Sequence, residues 1–453
     1  MSAEGLRASV EKMQREGVPG AAVATFRHYY EQLEAGESGM IPEDAIEPVR
    51  DLTDADELPE REAPLDQAVV IKLNGGLGTS MGMDRAKSLL EVKDGLAFLD
   101  VIARQVLALR ESSGARVPLV LMNSFYTRDD SLALLERYGE LASQVPFDFV
   151  QHKEPKLLVD GLTPAEWPDD RSLEWCPPGH GDIYPALLTS GMLELLLERG
   201  FRYAFMSNSD NLGAVLDPRI LAWIASEQLP YVCEVTDRTE ADKKGGHIAV
   251  LKETGGLILR ETAQTPDADM DAFTDVDRHP YFHVNNLWVD LRALERLLRE
   301  RDGVMGLPMI VNEKTVDPAD SSSPPVYQLE TAMGAAIGVF EGARAIRVPR
   351  SRFVPVKKTS DLLVLRSDAY VLGDGARIEL AEGRSSAPLV ELDDDYFKLL
   401  ADFDSRFPSG PPSLARAERL EVVGDVTFGR DVTVRGDVCV EGPRRVEDGA
   451  ELS

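Results

Sequence analysis

The C-terminal residues place the tightest constraint on the fold. From Leu420 onward apolar residues come in i, i+2 pairs that recur every six positions: Leu420/Val422, Val426/Phe428, Val432/Val434 and Val438/Val440. Val446 and Leu452 continue the series, and Gly-Asp-Val occurs at 424–426 and again at 436–438. A six-residue period is the signature of a parallel β-helix built from hexapeptide turns, with an ordinary β-meander as the alternative. At roughly 18 residues per coil the segment makes only about two coils. That is too little to stand alone, so it must pack on the rest of the chain or on another subunit.

The preceding residues follow a different rule. AVVIKL (68–73) is a short buried strand that runs into a glycine-rich loop. VPLVLM (117–122), PFDFV (146–150), YAFMS (203–207) and YVCEV (231–235) continue the strand series. Amphipathic helices are expected between them at Phe98–Leu109, Tyr184–Glu198 and Leu216–Glu227. Strands alternating with helices predict an α/β domain with a mostly parallel sheet, whose ligands bind at the carboxyl ends of the strands. Before Ala68, Leu6, Val10 and Met13 have helical spacing, as does Ala22–Leu33, and the acidic stretch Glu43–Pro64 is read as surface connection. The expected organisation is an N-terminal helical extension (1–66), a catalytic domain (67–366), a connecting segment (367–417) and the C-terminal β-helix (418–453).

Charge excludes several functions. Asp plus Glu number 78 against 49 Lys plus Arg, for a formal net charge of −29. Nucleic acid and anionic membranes carry the same sign and are excluded as general partners. An anionic substrate would need the few cations concentrated locally. The three cysteines, Cys176, Cys233 and Cys439, are far apart and form no CxxC pair. Neither a zinc site nor a disulfide framework is indicated, and a reducing cytoplasm is the expected location. The first residues lack the apolar core of a secretory signal, and no apolar run of about 18 residues suggests a membrane span.

Four loops carry candidate chemistry. In KLNGGLGTSMGMDRAKS (72–88) a strand ends, four glycines follow, then Lys87. Backbone freed of Cβ atoms can wrap a phosphate or a base edge, although the loop is neither a Walker A motif nor a Rossmann fingerprint. WCPPGHGDIY (175–184) presents His180 between glycines. MSNSDNLGA (206–214) places Asp210 after a strand, suited to a hard divalent cation, with Asn208 and Ser209 as hydrogen-bonding neighbours. Between Phe340 and Arg366 lie seven cations (Arg344, Arg347, Arg350, Arg352, Lys357, Lys358 and Arg366), with only Glu341 and Asp361 among them. This is either a phosphate-capturing island or a surface balancing acidic neighbours. Together the set suits transfer at a phosphate, where catalysis is mostly positioning and charge neutralisation. No GxSxG elbow or His-x-His pair suggests a covalent route.

Several collinear motifs then resemble one family, the eukaryotic-type UTP–glucose-1-phosphate uridylyltransferases (UDP-glucose pyrophosphorylases). They include KLNGGLGTSMG (72–82), NSF (123–125), PPGHGD (177–182), SNSDNLGA (207–214), KGG (244–246), NNLWV (285–289), IVNEK (310–314), QLETAMGAAI (328–337) and VPRSRFVPVKKTSDLL (348–363). The resemblance implies a nucleotide-diphospho-sugar transferase fold, with a Rossmann-like mixed sheet and a left-handed C-terminal β-helix. It also implies the reversible, magnesium-dependent reaction of UTP with glucose 1-phosphate to give UDP-glucose and pyrophosphate, by in-line attack on the α-phosphate.

The family roles fall on particular residues. Leu73, Asn74, Gly75 and Gly76 are expected to hold UTP, largely through backbone, with Gln151 on the uracil edge and Gly179 beside the nucleotide. Lys87 would neutralise the triphosphate, Asp210 would hold Mg²⁺, and Lys357 would stabilise the five-coordinate transition state. His180, Asn208, Ser209, Gly246, Glu261 and the Asn285/Asn286 pair would surround glucose 1-phosphate, with either asparagine able to point inward. In the family the β-helix mediates oligomer formation, which points to a homo-oligomer. Asp84 and Ala86 depart from the lysine and proline of many relatives. The alternatives are a UDP-N-acetylhexosamine or broad UDP-sugar pyrophosphorylase, and a non-catalytic sugar-nucleotide sensor on the same fold.

Overall fold

The computed structural model describes residues 2–453. Its centre is an eleven-stranded mixed sheet. In chain order the strands are β1 (Ile46–Pro48), β2 (Thr53–Asp54), β3 (Ala68–Asn74), β4 (Leu119–Asn123), β5 (Asp148–Val150), β6 (Tyr203–Asn208), β7 (Tyr231–Asp237), β8 (His247–Leu251), β9 (Leu257–Arg260), β10 (Tyr281–Asp290) and β11 (Arg344–Arg347). The main path runs β2-β11-β7-β10-β6-β3-β4-β5, and the β1-β8-β9 ladder joins it through β10. All neighbours on the main path are parallel except the two pairs made by β10, which lies antiparallel between β6 and β7. The α/β class and mainly parallel sheet expected from the alternation are therefore present.

Both faces of the sheet are covered, which is why β3 is apolar almost throughout. Its side chains alternate. Ala68 and Val70 join a core layer with Phe98, Val101 and Ile102, while Val69, Ile71 and Leu73 join a layer with Ile183, Leu187 and Leu193. Helix α1 (Ser2–Arg15) and α2 (Gly20–Glu34) pack Val10, Met13, Phe26 and Tyr30 against an antiparallel hairpin formed by Met309–Thr315 and Pro325–Thr331. Two details differ from the sequence reading. The segment 43–64 is more than surface connection, because β1 and β2 pair with β8 and β11. The helix expected over Tyr184–Glu198 is two, Ile183–Thr189 and Met192–Glu198, broken at Gly191, whose φ of 75° lies in the left-handed region.

The C-terminal repeat appears as stacked parallel ladders. Strands β12 (Leu389–Leu392), β13 (Ser413–Val423), β15 (Thr433–Glu441) and β17 (Glu451–Leu452) form one, and β14 (Val426–Phe428) pairs with β16 (Arg444–Val446) in another. Leu420 pairs with Val438, Val426 with Arg444 and Val434 with Leu452, each eighteen places on. The i, i+2 pairs point inward, from Leu420 and Val422 through Val438 and Val440. This interior is continuous with the core beneath the main sheet. Phe428 stacks on Phe407 at 4.9 Å between ring centres, and Phe407 meets Phe403 at 5.0 Å. Among the described residues no helix is long and apolar enough to cross a membrane.

Phe428 is fully buried where the ladder meets the helices beside it. Phe428→Ala is expected to cost about 3–5 kcal/mol of stability, read from the urea unfolding midpoint. A loss under about 1 kcal/mol would mean that the ladder is not anchored by this ring.

Candidate active site

The register of the sheet brings the loops together. Leu73 pairs with Asn208, and Asn74 with Asn123, which in turn pairs with Val150. Strands β3, β4, β5 and β6 therefore end at one edge, where the glycine-rich loop, the 123–125 turn, Gln151 and Asp210 follow directly. Two antiparallel steps through β10 return β7 and β11 to the same direction, so the 348–357 segment after β11 emerges there too.

On the nucleotide side, Lys87 Nζ donates to Asp210 Oδ2 at 2.7 Å, both groups partly exposed. The Lys87 amide donates to the Gly76 carbonyl at 3.0 Å, folding the loop back on itself. Ser124 Oγ donates to the Gly75 carbonyl at 3.1 Å. A Cβ at Gly75 would lie 2.8 Å from Gln151 Oε1, so this glycine lets Gln151 lie across the loop. The Asn74 side chain is buried and donates to Asn123 Oδ1 and Ser131 Oγ, each at 2.7 Å. Only its backbone is available to a ligand. Gly179, at φ 78°, packs against Thr331, where a Cβ would meet the carbonyl oxygen at 2.6 Å.

On the opposite side, Gly246 faces Glu261, and a Cβ there would be 2.6 Å from Oε2. Burial raises the Glu261 pKa, and the positive charge of Lys357 offsets part of that rise. Lys357 is thus close enough to act on Glu261. His180 Nδ1 accepts from the Met333 amide at 2.9 Å, which leaves Nε2 as its protonated, unpaired nitrogen. The ring keeps a partly exposed edge, yet the protein around it pushes its pKa down to about 4. Burial likewise takes neighbouring His283 down to about 3. Asn208 ends β6 partly exposed, and the amide of Ser209, itself buried, donates to the Leu73 carbonyl at 3.1 Å.

The two adjacent asparagines separate clearly. Asn286 is fully buried and donates from Nδ2 to Glu234 Oε2 at 2.9 Å, while its Oδ1 accepts from Asn211 at 3.2 Å. It does not reach the cleft, which corrects its assignment to the sugar phosphate. Asn285 is only half-buried, has a φ of 58°, and its Oδ1 has no hydrogen-bond partner among the described residues.

The cation island is mostly spent. Arg347 pairs with Asp54 and Asp237, Arg350 with Asp242, Arg352 with Glu234 and Arg366 with Asp404. Among the described residues Lys357 and Lys358 form no ion pair, and Lys357 is exposed. The Val356 amide, next to Lys357, donates to the Asp210 carbonyl at 3.2 Å. Outside these ion pairs the island keeps only Arg344, which donates to the Ala343 carbonyl, and the two lysines, so it does not act as one phosphate-capturing surface.

The sequence model of the UTP–glucose-1-phosphate uridylyltransferase family matches residues 23–435. The chain belongs to that family. It is 42% identical over 421 residues to the UTP–glucose-1-phosphate uridylyltransferase of Solanum tuberosum, covering 91% of this chain and 85% of the relative. The Saccharomyces cerevisiae protein of the same name is 40% identical, with 84% of this chain and 75% of the relative covered. A UDP-glucose pyrophosphorylase from Leishmania major, solved in complex with UDP-glucose, superposes with a TM-score of 0.93 at 44% identity, covering 99% and 98% of the two chains.

Within the family frame, Ala86 is fully buried at φ −53°, a backbone angle that proline also adopts, while Asp84 is exposed. Sequence reasoning overlooked Ser124, Asn211, Thr331 and Lys72. Ser124 lies in the quoted NSF motif, but only pairing of β4 with β3 places it against Gly75. Lys72 is a cation inside a buried strand. It donates to Ser207 Oγ and the Ala214 carbonyl, each at 2.7 Å, and so closes the base of the Asp210 loop.

Burial, helped by the Arg352 charge, pushes Lys72 down to about 7. Between that value and its ordinary 10.5 the unfolded chain holds the proton and the folded chain does not. Stability should therefore rise with pH through this window. Lys72→Met is expected to flatten the rise, seen by comparing urea midpoints near neutrality and in alkali. Parallel profiles for the two proteins would exclude it.

Proposed function

We propose that the chain catalyses the reversible transfer of a uridylyl group from UTP to glucose 1-phosphate, releasing pyrophosphate and forming UDP-glucose. One observation carries this reading within the family. The Lys87–Asp210 pair lies at the carboxyl edge of the sheet beside the glycine-rich loop, with the Lys357 segment hydrogen-bonded to it through Val356.

A phosphate oxygen of glucose 1-phosphate forms the new bond to the α-phosphorus of UTP, and the bond to the β-phosphate bridge breaks in line. No proton need be gained or lost. Both reactants are anionic, so the residues must bring like charges together. The backbone of Leu73–Gly76 and the Gln151 amide bind the nucleotide, with Gly179 allowing close approach. Lys87 screens the triphosphate and the departing pyrophosphate. Lys357, unpaired in the structure, neutralises charge that grows at the α-phosphate. Asn208, Ser209, Gly246, Glu261, Asn285 and the Nε2–H of His180 form the sugar-phosphate side. Neutral His180 and the carboxyl group of Glu261 offer hydrogen bonds that suit sugar hydroxyls.

Mg²⁺ fits this donor set in one particular way. No group of three or more His, Cys, Asp or Glu among the described residues is arranged to hold a metal. Asp210 is the carboxylate beside the glycine-rich loop, as expected for an ion carried largely by substrate phosphates and water. When bound, Mg²⁺ would supply charge neutralisation of the phosphate oxygens.

The reading extends to organisation. The eighteen-residue ladder offset supports a short β-helix after residue 418, joined by the connecting segment to the catalytic domain, with the helical extension before residue 67. A cytoplasmic enzyme that assembles through the β-helix fits this arrangement.

Two measurements test the function. Pyrophosphate release with UTP, Mg²⁺ and a panel of sugar 1-phosphates is expected for glucose 1-phosphate and to stop on chelation. Release across several sugars would reassign the chain to a broad UDP-sugar pyrophosphorylase, and UTP binding without release would make it a sensor. Lys357→Ala is expected to lower kcat by about 10²–10³ with a smaller effect on KM for UTP. Unchanged turnover would remove Lys357 from the mechanism.

A further inference from the structure

We infer that Glu234, buried in β7 away from the cleft, is a positioning residue that sets Lys357 against Asp210. The inference rests on the roles proposed above for those two residues. Glu234 is fully buried and accepts four hydrogen bonds. Oε1 takes Arg352 Nη2 at 2.5 Å and Trp288 Nε1 at 2.9 Å. Oε2 takes Arg352 Nε at 2.7 Å and Asn286 Nδ2 at 2.9 Å. A carboxylate with each oxygen doubly engaged has one orientation, and the strand beneath it is central in the sheet.

The chain of contacts leads straight to the site. The carbonyl of Arg352 accepts from Asn211 Nδ2 at 3.1 Å and from Asn286 Nδ2 at 3.4 Å. Asn211 Oδ1 accepts from the amides of Val354 at 2.9 Å and Gly213 at 3.2 Å. Asn211 follows Asp210, and Val356, bonded to the Asp210 carbonyl at 3.2 Å, precedes Lys357. One carboxylate therefore holds both the loop with the acid and the loop with the cation. Stability alone gives little reason for it, since well-packed apolar groups in place of a buried ion pair are often as stable. Geometry gives a reason, because misplacing a catalytic group by about 1 Å can cost roughly 10²-fold in rate.

Two variants test this against Lys357→Ala as control. Glu234→Gln keeps the size but turns an N–H toward two existing donors on whichever side it lies. Glu234→Leu/Arg352→Met/Trp288→Phe removes the charges together with the indole donor, and leaves Asn286 Nδ2 its bond to the carbonyl of residue 352. Each is expected to lose on the order of 10²-fold in kcat while KM for UTP holds, because the glycine-rich loop and Gln151 do not depend on the anchor. The triple variant is expected to melt near the original temperature, separating positioning from folding. Normal kcat in either folded variant, with Lys357→Ala impaired, overturns the inference alone. Normal turnover of Lys357→Ala overturns the site reading beneath it.

Discussion

Pairing of β3 with β6, with Leu73 opposite Asn208, is the constraint on which the rest depends. Each strand has a loop that carries chemistry, and parallel alignment delivers both loops to one edge. Lys72, one residue inside that edge, reinforces the arrangement by bonding both ends of the Asp210 loop. A neutral or charged amine there has enough donors for both bonds, so the cost of burying it is offset by closing the loop. The antiparallel insertion of β10 then places Asn285 and His283 at the same edge while keeping β7 and β11 parallel to β6. A purely parallel sheet could not bring the start of a strand and the ends of its neighbours to one place.

Electrostatics refine the picture. A chain at −29 that handles two anions must isolate its useful cations. Four of the seven basic residues between 340 and 366 are tied to acids, and Arg352 is turned wholly inward. Paired charges shape the loop, whereas an unpaired charge is free to meet phosphate. Lys87 lies between these cases, since its partner Asp210 is the carboxylate proposed to meet the metal. His180 and His283 are kept neutral by burial, so they add hydrogen-bonding groups without adding charge.

The C-terminal ladder shows how a short repeat gains support. Its interior is not closed off but merges through Phe428, Phe407 and Phe403 with the core beneath the sheet. A ladder this short leaves too much apolar area uncovered to persist by itself, and the adjoining helices supply the missing cover.

Periodicity made much of this legible without coordinates. The six-residue repeat, the buried strands and the glycine-rich turn each depend on residues close in sequence, and the motifs at 72–88, 177–182 and 207–214 supplied most of the residues proposed for the site. Strand partners were beyond its reach, so β10, β1 and β2 went unrecognised as members of one sheet. The same limit applied to Asn285 and Asn286: two identical side chains in adjacent positions carry no signal of direction. Asn285 stands at φ 58° with its Oδ1 unbonded among the described residues, whereas Glu234, fifty-two residues away, holds Asn286 inside. Local pattern determined which elements form and which residues could do chemistry. Only the tertiary structure decided which cations stay out of ion pairs and which of the two amides is tied inside, because both depend on partners distant in the chain.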